Sequence, residues 1–77
     1  MTVTVRYFAS LRERLGRDED RLELPAPASA RDVWVQVADG ETLPTQVLVA
    51  INQEFAKPDD LVRDGDELAF FPPITGG

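Results

Sequence analysis

The chain reads as an α+β domain in which one main helix lies across one face of a mixed, four- to five-stranded sheet. Three observations lead there. Segments that alternate polar and apolar residues, the mark of strands with one buried face, occur both before and after a single well-patterned helix. That helix offers one apolar stripe, Val33, Trp34 and Val37, enough to cover one face of a sheet. Seventy-seven residues leave room for one thin core, since a chain of this size buries only about 60–65% of the surface it exposes when unfolded. The expected organisation is a single domain over residues 1–77, with 72–77 as a flexible C-terminal tail.

Thr2 to Phe8 alternates with period two, which sends Val3, Val5 and Tyr7 inward and leaves Phe8 on the opposite side or at the strand's end, partly exposed. Ser10-Leu11-Arg12-Glu13 has capping-box spacing. Leu11 and Leu15 stand four apart and Gly16 supplies a stop, which predicts a short helix over 10–15. Arg17-Asp18-Glu19-Asp20 then reads as a solvated charged turn, and Arg21 to Leu24 as a second strand antiparallel to the first. Pro25 and Pro27 end that strand, because proline cannot donate to a sheet ladder. Ser29, with Asp32 three residues on, starts the main helix, which runs from Ala30 to about Ala38 and closes at Asp39-Gly40, with Trp34 packed in the core.

Gln46 to Ile51 is a nearly continuous apolar run, which predicts a strand covered on both sides or central in its sheet. Asn52-Gln53 gives a tight turn, Glu54 to Lys57 a short edge strand ended by Pro58, and Asp59 to Arg63 a connection pinned by Leu61 and Val62. Arg63-Asp64-Gly65-Asp66 is a turn with glycine available for positive φ, and Glu67 to Phe71 is the last strand. With the helix as crossover, first and last strands lying side by side must run parallel, which is the β-grasp arrangement. Phe70 and Phe71 face opposite sides of their strand, and one helix covers one face. Phe70 is therefore assigned to the core, and Phe71, with Phe8 and Phe55, to an apolar patch that receives a partner.

Composition removes several function classes. The chain has no cysteine and no histidine, so disulfides, thiol nucleophiles, imidazole bases and the common zinc sites are out of reach. A net charge of −6 opposes binding to a phosphate backbone and suits a basic protein surface. No apolar run is long enough to span a membrane and no charged-then-apolar leader is present, so the expected location is the cytoplasm. No cofactor is expected on this chain.

The candidate chemistry lies after Phe71. Pro72 and Pro73 lack an N–H and favour an extended backbone. Pro72 to Gly77 can thus reach roughly 20 Å at ~3.3 Å per residue. Gly76 and Gly77 have no side chain and fit a slot too narrow for one. The Gly77 carboxylate is the group that could react, once adenylation with ATP has turned one oxygen into a leaving group. Attack ending in sulfide transfer then gives a thiocarboxylate, and without cysteine Gly77 is the one place where this chain could carry sulfur.

Asp64-Gly65-Asp66-Glu67-Leu68-Ala69-Phe70-Phe71-Pro72-Pro73-Ile74-Thr75-Gly76-Gly77 closely resembles the C-terminal signature of the small subunits of molybdopterin synthase, the MoaD family. Val5 to Glu13 and Ala50-Ile51-Asn52-Gln53 also resemble their counterparts, whereas 17–45 matches only in pattern. The resemblance implies a ubiquitin-like β-grasp fold and a sulfur carrier that is inert alone and part of an enzyme when paired. It implies a MoeB-like enzyme that uses ATP to adenylate Gly77, a sulfur source that converts it to thiocarboxylate, and insertion of the tail into a MoaE-like large subunit. There sulfur passes to cyclic pyranopterin monophosphate to build the molybdopterin dithiolene. Gly77 is then the sulfur-bearing residue and Gly76 its clearance, with Phe8, Phe55, Phe71, Pro72, Pro73, Ile74 and Thr75 meeting the partners. Carriers serving thiamin synthesis or tRNA thiolation need the same Gly-Gly chemistry, and a ubiquitin-like modifier would join Gly77 to lysines instead. A passive proline-docking module lacks its PxxP spacing.

Overall fold

A computed structural model of the protein describes residues 1–73. The elements are β1 (Thr2–Tyr7), α1 (Ser10–Leu15), β2 (Glu19–Glu23), β3 (Ala28–Ser29), α2 (Ala30–Val37), β4 (Leu48–Ile51), β5 (Glu54–Ala56), β6 (Leu61–Val62) and β7 (Glu67–Phe71). Five strands form one mixed sheet in the order β2-β1-β7-β4-β5. β1 and β7 pair in parallel at its centre, from Thr4 opposite Glu67 to Tyr7 opposite Phe70, and the other pairs are antiparallel. This is the expected β-grasp arrangement. β3 and β6 add a two-stranded sheet that the sequence pattern does not foretell.

The core lies between one sheet face and α2. Val3, Val5 and Tyr7 of β1, Val49 of β4, and Leu68 and Phe70 of β7 meet Val33, Trp34 and Val37 of the helix. α2 begins as its spacing predicts: the Asp32 N–H donates to Ser29 Oγ at 3.0 Å. It ends where Asp39 and Gly40 turn to positive φ and the Gly40 N–H returns to the Val35 carbonyl at 2.8 Å.

Three expectations are corrected, at Ser10, at Arg17 to Asp20 and at Leu61. The capping box at Ser10 does not form: Ala9 holds the cap position at φ 52°, and Ser10 is already helical. The N–H groups of Arg12 and Glu13, which a Ser10 cap would serve, instead reach the Ala9 carbonyl at 3.1 and 3.4 Å, so no donor is left for the serine. Arg17 to Asp20 is not a solvated turn. Arg17 lies over the Tyr7 ring, pairs with Asp20 and donates to the Val37 carbonyl at 2.7 Å, tying two strands to the end of α2. The run ending at Ile51 meets the second of its two alternatives, since β4 lies inside the sheet between β7 and β5 while Leu48 on its open face is exposed. Of the two supposed pins, Val62 is buried and Leu61 is exposed, because a strand as short as β6 buries one face only.

Candidate functional site

The face of the sheet opposite α2 carries the candidate site. Along β7 the pleat sends Leu68 and Phe70 into the core, and Glu67, Ala69 and Phe71 to this open face. Phe70 is 0% exposed and meets the edge of Trp34, with ring centroids 4.9 Å apart at 73°.

Phe8, just beyond β1, donates its backbone N–H to the Phe70 carbonyl at 3.2 Å. That bond holds the end of β1 against β7, and the Phe8 ring stacks on Phe71 with centroids 4.6 Å apart and planes 9° from parallel. Phe55 arrives from the edge strand. Asn52 and Gln53, at φ 52° and 69°, make the left-handed two-residue turn that sets the β4–β5 register and pairs Ala50 with Phe55. The Phe55 ring then lies 6.2 Å from Phe71 and is 77% exposed. The structure thus brings the three expected aromatics together on one face.

Leu48 belongs with them although the sequence reading omits it. It lies opposite Phe71 across the β4–β7 pair and lines a shallow hollow with Phe8, Phe55, Phe71 and the first two tail residues, Pro72 and Pro73. A run of consecutive apolar residues hides its parity, and the one signal was its odd spacing from buried Val49. Arg6 also lies on this face, between Glu19 at 3.3 Å and Glu67 at 3.8 Å. Ile74, Thr75, Gly76 and Gly77, with the expected tail flexibility beyond Pro73, lie outside the described residues.

Exposed rings are an uncommon use of apolar surface in a small chain. Burying one fully exposed phenylalanine is worth about 1.5–3 kcal/mol, and most of the ring surface left to bury in this cluster is that of Phe55, 77% exposed against 38% for Phe8. The described residues hold no group of three or more acidic, histidine or cysteine side chains placed to bind a metal. Their one clearly displaced acid is Tyr7, raised above its ordinary value by burial and then by its hydrogen bond to Asp20. It faces the core, away from the aromatic cluster. Among the described residues, no helix is long and apolar enough to cross a membrane.

Comparison with known proteins agrees in fold and in sequence. The molybdopterin synthase sulfur carrier subunit of Haemophilus influenzae is 39% identical over 80 residues, with 97% of this chain and 99% of that one covered. The subunit of the same description from Chlamydomonas reinhardtii is 36% identical, with both chains covered in full. The crystal structure of SAMP1 from Haloferax volcanii, a small archaeal modifier protein, superposes with a TM-score of 0.78 at 29% identity, covering all of both chains. The family model described as "ThiS family" matches residues 5–77, and on that match the chain belongs to the ThiS family.

Proposed function

We propose that the chain is the sulfur-carrier subunit of a molybdopterin synthase. The observation that carries the reading is the aromatic cluster of Phe8, Phe55 and Phe71 at the root of the tail, in a chain similar over its length to carrier subunits of that enzyme. A docked partner covering that cluster receives the residues after Pro73 directly. In the first partner, an ATP-using adenylating enzyme, the Gly77 carboxylate attacks the α-phosphorus and pyrophosphate leaves. Sulfide from a donor then displaces AMP and leaves a thiocarboxylate on Gly77.

In the second partner, the large synthase subunit, Gly76-Gly77 passes into a narrow channel and the sulfur moves to cyclic pyranopterin monophosphate. A dithiolene holds two sulfurs, so each product consumes two loaded chains. This chain binds no cofactor of its own, is inert without the large subunit, and works in the cytoplasm. Ile74 and Thr75 complete the spacer between the docking face and the reacting carbon.

A second reading, a protein modifier, is favoured by the likeness to the archaeal modifier protein. One experiment separates the two. The protein is incubated with the adenylating enzyme, ATP and a sulfur donor, and its intact mass is measured. A gain of one oxygen-to-sulfur exchange, lost when Gly77 is deleted, is expected. Conjugates to lysines of other proteins, without that gain, would favour the modifier and refute the carrier.

A further inference from the structure

We infer that the open face contains a socket for one aliphatic side chain of the large synthase subunit, floored by Ala50 and Ala69. The inference rests on the carrier reading and adds to it the shape and chemistry of what docks. Ala50 and Ala69 lie directly opposite each other on β4 and β7. Both point away from the helix, yet they are only 4% and 6% exposed. Among the described residues, both line one open hollow on this face. Their shielding comes from taller neighbours: Arg6 beside Ala69 on β1, Phe55 beside Ala50 on β5, the rings of Phe8 and Phe71 toward the tail, and Gln53 and Glu67 toward the other end.

Two methyl groups in a row between tall walls leave a depression with an apolar floor. A branched aliphatic chain or a methionine fills such a space, whereas a carboxylate would lose its hydration there without gaining a hydrogen-bonding partner from the floor.

The occupant belongs to a protein that takes the tail, because the depression and the tail share a wall, and of the two such partners it is assigned to the large subunit. Phe71 bounds the depression and leads straight into Pro72 and Pro73. A partner that closes over Phe71 to receive the tail therefore also covers Ala69, two residues back on the same face. Arg6 beside Ala69, and Glu67 at the end away from the tail, fix the flanking chemistry. Arg6 is bracketed by Glu19 and Glu67, so two acids face one cation there. With the net charge of −6, that end favours a lysine or arginine beside the inserted aliphatic residue.

The test uses the full chain and the purified large subunit. With the chain carrying labelled alanine methyls, the complex is expected to show intermolecular contacts from aliphatic partner protons to the methyls of Ala50 and Ala69. Ala69→Leu, which fills the depression, is expected to weaken binding tenfold or more, about 1.4 kcal/mol, while thermal stability is kept. If Phe71→Ala weakens binding but Ala69→Leu does not, and the alanine methyls show no such contacts, the socket is wrong and the docking face stands. If Phe71→Ala also binds as the unmodified chain does, the docking reading itself fails. Should Ala69→Leu not fold, the methyl contacts of the unmodified chain decide, and their absence overturns the proposal.

Discussion

Exchanging Phe70 for alanine is expected to bring the protein close to unfolding, whereas the same change at its neighbour Phe71 is expected to leave it folded and stop sulfur delivery. Phe70 is fully buried between Tyr7 and Trp34. Truncating a buried phenylalanine costs about 3–5 kcal/mol. The edge contact with Trp34 puts this site toward the upper end, since such aromatic pairs add ~0.5–1.5 kcal/mol. A 77-residue chain has a total stability of only about 4–12 kcal/mol, at ~0.05–0.15 kcal/mol per residue. The Phe70 change thus removes between about a third and the whole of it. Phe71 is half-buried on the open face and loses mainly its stacking with Phe8, about 0.5–1.5 kcal/mol. Urea unfolding followed by the fluorescence of the single tryptophan, Trp34, measures the first effect. Single-turnover dithiolene formation with the large subunit measures the second. A Phe71→Ala midpoint falling as far as that of Phe70→Ala would show that the open face belongs to the core, and full turnover by Phe71→Ala would remove it from the docking site.

The two serine positions separate in the same way. Ser29→Ala is expected to cost about 1 kcal/mol through loss of the cap on α2, while Ser10→Ala, whose side chain caps nothing, is expected to be near neutral; equal losses in urea midpoints would contradict the cap assignment. Tyr7 supplies a pH test. Its phenol is raised above the ordinary value of 10.0 by burial and by donating to Asp20, so above about pH 10 the unfolded chain gives up a proton that the folded chain keeps. Stability is therefore unaffected below that pH and falls as pH rises beyond it. Because the chain has one tyrosine, phenolate absorbance is expected to rise only together with unfolding reported by Trp34, and a phenolate signal from native protein near pH 10 would contradict it.

What could be read from the sequence was whatever depends on local periodicity or turn chemistry. The parity of Val3, Val5 and Tyr7, the stripe of α2, and the opposed fates of Phe70 and Phe71 are all set by side-chain spacing alone. Gly65, at φ 85°, sits in the turn its neighbours announce. Features set by distant parts of the chain were hidden. β3 and β6 have two residues each and join segments more than thirty positions apart, too short for any pattern to register. Besides nearby Asp20, Arg17 finds partners at Tyr7 on β1 and Val37 on α2, which only the folded chain brings within reach. Ser10 shows that a correct local motif yields when nearby carbonyls already take the donors it would serve.

The position of β7 bears on how the protein withstands being pulled. A partner that grips the residues beyond Pro73 pulls on a strand hydrogen-bonded along both edges, to β1 on one side and β4 on the other. Tension along β7 loads those bonds in shear, many at once, instead of opening them one by one as at a free edge. The parallel β1 ladder and the antiparallel β4 ladder share the strain. A pull applied beyond Pro73 is therefore borne by the whole sheet and not by β7 alone, and the open face moves with it as a single piece.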